Sequence, residues 1–321
     1  MKNRLNNKHT KDSYIYTYVH HKNEYDLCRM EMRSFFGFDT QLNYLISPLK
    51  VDPSRSPFME DRLEVIYDGD TISELKEMMK DMKISASTYK VYCLNRMDLG
   101  ETKKIPHPER RQVERELGLI IEGEPDLDNP EIVFGLVTIN NRWYFGRHTK
   151  SVSVWREHVH KPHSYSTALN TRVARAIANI AVPEVDGIRA IDPCCGIGTV
   201  VVEALSMGID IVGRDINPFV CVGARENIAY FNLNGTITKG PISEVSEHYD
   251  VCIIDLPYNL YTHITREEQF DIIKQARRIA DKCIIVTIED IDDLVEEVGF
   301  KITDRCITKK HLFVRQILLC E

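Results

Sequence analysis

The 321-residue sequence contains no apolar run near the roughly 18 residues that a membrane-spanning helix needs, and Met1–Lys11 is polar and basic, without the apolar core of an export signal. A soluble, unexported chain is expected. Cysteine stands at 9 positions, but never as a C-x-x-C pair, which argues against a disulfide framework and a structural zinc site. A reducing, cytoplasmic compartment fits best, with Cys252 and Cys283 acting as small buried hydrophobes. An excess of positive charge is also missing. With a formal net charge of −7, any affinity for nucleic acid must come from local basic patches. Residues 1–160 hold 24 Lys and Arg against 25 Asp and Glu, while residues 161–321 hold 17 against 23, so the first half is the better carrier of a polyanion. No internal repeat or low-complexity segment is present.

From residue 187 onward, strand-like runs at Ile188–Asp192, Ile209–Asp215, Thr236–Lys239, Val251–Leu256 and Cys283–Thr287 alternate with helical patterns. The helices fall near Thr199–Ser206, Pro218–Tyr230, Glu267–Ala280 and Ile291–Val298. This is the signature of a parallel sheet covered by helices. Two further runs, Ile302–Ile307 and Leu312–Leu319, predict an antiparallel hairpin at one edge. The first half mixes strands with helices. Tyr14–Val19 reads as a strand and Glu24–Phe35 as a helix, while Ile72, Leu75, Met79 and Met82, and then Val113, Leu117, Ile120 and Ile121, recur at helical spacing. Glu122–Pro130 reads as a loop before the strand Ile132–Ile139.

Asp192-Pro193-Cys194-Cys195-Gly196-Ile197-Gly198-Thr199 follows a strand and opens a helix, where glycines let the backbone approach a ligand. A dinucleotide fits poorly, because Val201 replaces the third glycine of G-x-G-x-x-G and Asp192 would face a pyrophosphate with like charge. An acid there suits a ligand bearing an ammonium group, such as the methionyl end of S-adenosylmethionine, and the helix start beyond Gly198 suits that ligand's carboxylate. Asp215, followed by Ile216, ends the next strand, where an acid commonly binds both ribose hydroxyls, unless it merely caps the next helix.

Asp255-Leu256-Pro257-Tyr258 ends a later apolar strand. Methylating an aromatic amine requires its lone pair to be withdrawn from the ring, which two fixed acceptors promote. Asp255 offers a carboxylate and Leu256 a carbonyl, held extended by the following proline, while Tyr258 can stack on a base.

These motifs, with G-R-D-I-N at Gly213–Asn217, A-R-E-N at Ala224–Asn227 and A-L-N-T-R-V-A-R-A-I-A-N-I at Ala168–Ile180, resemble the tRNA guanosine N2-methyltransferases that join a THUMP domain to a Rossmann-like domain. R-E-L-G at Arg115–Gly118 and P-D-L-D-N-P-E at Pro125–Glu131 resemble the THUMP pattern. The resemblance implies a class I methyltransferase sheet preceded by an α+β THUMP-like region, S-adenosylmethionine as cofactor and tRNA as partner. Its site would comprise Asp192, Cys194, Gly196, Gly198, Thr199, Asp215 and Ile216 for the cofactor, and Asp255, Leu256, Pro257 and Tyr258 for the reaction. Leu256 stands where that family usually has proline. The motif is shared with enzymes that methylate adenine N6, and an inactive tRNA-binding protein of this fold is a further alternative.

Arg142, Trp143, Arg147 and Lys150 form the best candidate RNA surface, with cations for phosphate and an aromatic ring for unpaired bases. His158, His160 and His163 are read as part of a basic linker rather than a metal site. The expected division is an N-terminal region 1–60, a THUMP-like module 61–147, a linker 148–168 and a methyltransferase domain 169–321.

Overall fold

The computed structural model describes residues 13–94, 99, 105–165, 168–257, 264–310 and 313–321. The expectations placed on Met1–Lys11 and on Tyr258 lie outside them. In chain order the first half runs β1 (Tyr14–Tyr18), α1 (Tyr25–Phe36), β2 (Tyr44–Ser47), β3 (Met59–Gly69), α2 (Ile72–Met78), β4 (Lys83–Cys93), α3 (His107–Gly118), β5 (Glu122–Pro125), β6 (Ile132–Ile139) and β7 (Arg142–Lys150). The second half runs α4 (Trp155–His158), α5 (Thr171–Ala181), β8 (Arg189–Asp192), α6 (Thr199–Ser206), β9 (Asp210–Asp215), α7 (Pro218–Tyr230), β10 (Thr236–Lys239), β11 (Tyr249–Asp255), α8 (Arg266–Ile279), β12 (Ala280–Thr287), α9 (Asp292–Glu297), β13 (Ile302–Lys310) and β14 (Phe313–Cys320).

Two compact units result: Met1–Val19, Thr40–Ser54 and Met59–Val152 make the first, and His20–Asp39, Arg55–Phe58 and Ser153–Glu321 the second. The first carries a 7-stranded mixed sheet in the order β2-β1-β3-β7-β6-β4-β5. Leu75 and Met79, with Val113 and Leu117 from α3, cover Phe134, Leu136 and Phe145 on one face, while Ile15, Leu63, Val65 and Val137 form a core on the other. Alternation explains β3, where Leu63 and Val65 are buried and Arg62, Glu64 and Ile66 beside them are partly exposed. Several elements here differ from the sequence reading. α2 stops at Met78, so Met82 packs from beyond the helix. β3 and β4 were not anticipated, and Glu122–Pro125, read as loop, pairs in parallel with β4 at the sheet edge.

The second unit carries a 7-stranded sheet in the order β10-β9-β8-β11-β12-β14-β13, parallel except for β14, which runs antiparallel to both neighbours. This is the Rossmann-like class I arrangement expected, hairpin included. Helix starts follow local chemistry: Asn170 caps α5, Asn217 caps α7 ahead of Pro218, and Thr265 with Glu268 forms a capping box on α8. α5 is buried on nearly every residue, and α1 packs against it and against β13.

The units cut the chain differently from the sequence-based boundaries. α1 belongs with the methyltransferase-like sheet because Leu27, Met30, Met32, Phe35 and Phe36 are buried there, not because of its place in the chain. Residues 148–150 finish strand β7, since pairing with β3 continues to Lys150 opposite Asp61. Among the described residues no helix is long and apolar enough to cross a membrane, and no cluster of three or more His, Cys, Asp or Glu is placed to hold a metal ion.

Candidate active site

The C-terminal ends of β8, β9 and β11 lie side by side, the edge at which parallel α/β sheets bind ligands. Between β8 and α6 the loop is folded by two glycines at positive φ, Gly196 (51°) and Gly198 (76°), a region side chains disfavour. A Cβ on Gly196 would also come within 2.5 Å of the Tyr165 hydroxyl. Asp192, 3% exposed, accepts the Cys194 N–H at 3.2 Å. Asp215 accepts the N–H groups of Gly196 and Asn217, each at 2.9 Å. One carboxylate thereby ties the glycine loop to the end of β9. Both of its oxygens keep capacity for further donors, since a carboxylate offers about four acceptor sites. Ile216 beside it is 68% exposed.

Among the described residues, the buried Thr199 hydroxyl at the first turn of α6 and the buried Oδ1 of Asp255 at the end of β11 have no protein partner. Buried polar atoms are normally paired, so orphans at a ligand-binding edge fit an absent ligand. Burial pushes the Asp255 carboxyl up to about 7, with Arg315 drawing it back. Burial also drives Asp192 well above the usual carboxylate range, reinforced by Asp255 and Asp215 and opposed by the Cys194 N–H. Such a cluster of strained acids suits a cationic ligand and an amine. Cys194 and Cys195 are pushed upward by burial, so neither is a reactive thiolate. Leu256 is 1% exposed, its side chain in the core and its N–H on the Val286 carbonyl at 3.0 Å, and Pro257 follows it. Leucine in the proline position is thus a core residue that leaves the strand end in register.

The sequence motif A-R-E-N includes Asn227 but gave it no role. Fully buried in α7, it donates to the carbonyls of Ile197 (2.9 Å) and His163 (3.1 Å) and accepts the His163 N–H at 2.9 Å. It fastens the segment before α5 to the cofactor loop. A polar side chain amid the apolar positions of a helix was the available signal. The three histidines do not converge. His158 is buried and donates to Glu203 at 2.7 Å, Glu203 also receiving Arg175 at 2.8 Å, whereas His163 bonds Glu226. His158, read as part of a basic linker, is thus a buried residue at the end of α4.

The basic and aromatic stretch of β7 does not form a continuous cationic surface. Arg142 bonds Asp68 at 2.8 Å and also Asp70, and Trp143 packs against the core under α2 and α3. Arg147 and Lys150 are exposed, opposite Glu64 and Asp61 in β3.

Residues 159–284 match the family described as RMKL-like, methyltransferase domain. The chain is 25% identical over 230 residues to a tRNA (guanine(10)-N2)-dimethyltransferase of Methanothermobacter thermautotrophicus, covering 65% of this chain and 67% of that protein. It is 27% identical over 166 residues to the protein of the same name from Pyrococcus abyssi, covering 47% and 49%. The match to this second relative therefore spans about half of its length. Among solved structures, TrmN from Thermus thermophilus superposes with a TM-score of 0.48 at 14% identity, covering 96% of this chain and 99% of that one. Residues 159–284, which hold the glycine loop and the acid-ended strands, thus match an RMKL-like methyltransferase domain, in a chain similar to the archaeal tRNA (guanine(10)-N2)-dimethyltransferases.

Proposed function

We propose that the chain is an enzyme that transfers a methyl group from S-adenosylmethionine to the exocyclic N2 of a guanosine in tRNA. The observation that carries this reading is the buried, unpartnered Oδ1 of Asp255 at the sheet edge beside the glycine loop. The tRNA (guanine(10)-N2)-dimethyltransferase name of the archaeal relatives supports the choice of base and RNA. The cofactor supplies an electrophilic methyl group on a sulfonium. Asp192 would face its ammonium group, Thr199 and the start of α6 its carboxylate, Asp215 its ribose hydroxyls and Ile216 the apolar face of its adenine. Gly196 and Gly198 bend the loop so that backbone, including that of Cys194, lines the site. Asp255 and the Leu256 carbonyl accept the two amine protons, turning the nitrogen lone pair out of the ring, and Asp255 then takes the released proton.

Residues 61–147 are the THUMP-like module of this reading, and they bind the tRNA. Incubating the protein with cofactor and unmodified tRNA, followed by mass spectrometry of the nucleosides, tests the proposal. N2-methylated guanosine is the expected product; N6-methyladenosine, or no product despite measurable cofactor binding, would refute it.

A further inference from the structure

Arg315 belongs to the C-terminal hairpin, which none of the roles above uses. Across the sheet Asp255 pairs with Val286, and Val286 with Ile317, so these three side chains leave on the same face. Their sequence neighbours Leu256, Ile285 and Leu318 point the other way, into the core under α8 and α9. β14 runs antiparallel to β12, which puts Arg315, two residues before Ile317, on the face of Asp255 and just past the C-terminal edge of the parallel strands. There it is only 5% exposed.

We infer that Arg315 is a positioning residue for Asp255, holding that carboxylate charged and aimed at the amine to be methylated. The inference rests on the reading of Asp255 as the amine acceptor. The charged and titratable groups around Asp255 set the balance. β8 brings Asp192 and the loop after it Cys194, both of which feel the charge of Asp255, whereas β12 offers only Val286 and Thr287 at this level. Arg315 from β14 is the attractive charge, and it opposes the burial that pushes Asp255 up to about 7. A carboxyl that is to take the amine's proton must be ionised beforehand, so a neutral residue at 315 moves the onset of methylation to higher pH.

The experiment measures turnover against pH for the full chain on a tRNA transcript, comparing the parent with Arg315→Gln, Arg315→Lys and Asp255→Asn. Cofactor affinity by calorimetric titration serves as the control for folding. Arg315→Gln should shift the acidic limb upward by roughly one unit, as expected on losing a nearby opposite charge. Arg315→Lys should return the limb toward the parent, and cofactor affinity should stay within about twofold throughout. Within Asp255→Asn, adding Arg315→Gln should change the profile no further. A parental acidic limb in Arg315→Gln, with Asp255→Asn strongly impaired, overturns the inference alone. Full activity of Asp255→Asn overturns the reading of Asp255 on which it stands.

Discussion

The Gly196 N–H donates to Oδ2 of Asp215 at 2.9 Å, so the acid at the end of β9 holds the loop after β8 in place before any ligand arrives. An acid read from the sequence as a ribose ligand or a helix cap therefore also holds the neighbouring loop.

Asp215→Ala should consequently weaken cofactor binding by about tenfold or more, the range for losing a charged hydrogen-bond acceptor. It should also raise amide hydrogen exchange across 193–198. Calorimetry and exchange read the two effects separately. Unchanged affinity would remove Asp215 from the cofactor site, and unchanged exchange would remove its loop-holding role.

Asp255→Ala should lower turnover by roughly 100- to 1000-fold, by analogy with removing one oxyanion-hole donor, while leaving affinity for cofactor nearly untouched. Single-turnover methylation of tRNA provides the measurement. Near-parental rates would show that the reaction is organised elsewhere.

Cofactor binding should release a proton. Burial favours the neutral form of Asp192 in the ligand-free protein, with Asp255 and Asp215 pushing in the same direction, and an ammonium group placed against it favours the charged form. Affinity should thus rise with pH while free Asp192 still carries its proton. Titration in buffers of different ionisation enthalpy reads the release directly, and binding heat independent of the buffer would contradict it.

Glu31, fully buried, accepts Ser56 Oγ at 2.5 Å and Asn179 Nδ2 at 2.7 Å. Burial raises its carboxyl from 4.5 to about 7, against the lowering effect of Ser56, Asn179, Arg175 and Arg55. A raised folded-state value means that the native protein binds the proton more tightly, so this contribution is complete below about 4.5 and is lost as pH climbs through about 7. The loss is at most about 3 kcal/mol. Glu31→Gln should flatten stability against pH across that window in urea unfolding. An unaltered slope would show that Glu31 is not the titrating group.

Residues 169–321 expressed alone should fail to fold cooperatively, because α5 would lose the cover of Leu27, Met30, Met32, Phe35 and Phe36. Circular dichroism melting decides this, and a sharp transition would show that α1 is dispensable.

The second half was legible because its central parallel strands β8, β11 and β12 are apolar runs ending in Asp or a turn, a pattern that burial on both faces enforces. The glycine loop and Asp255 stood out for the same reason, since polar residues at strand ends are positioned by the sheet. β3 and β4 were obscured by charged and polar residues alternating with apolar ones, as in a sheet with partly solvated positions. Arg315 was not singled out, and Asn227 was quoted in A-R-E-N without a role, because their neighbours are distant in sequence, Asp255 with one strand between and Ile197 across a helix. The allegiance of α1 was hidden likewise: an amphipathic pattern shows that a helix needs a partner, not which one.

That allegiance has a consequence in time. α1 leaves the ribosome before α5 and β13, which cover it, β13 being finished only about 14 to 55 s later at roughly 5–20 residues per second. Throughout that interval a helix rich in Leu, Met and Phe has no permanent cover, so the nascent chain should be a client for chaperones that shield apolar helices, and slowing translation should increase its aggregation.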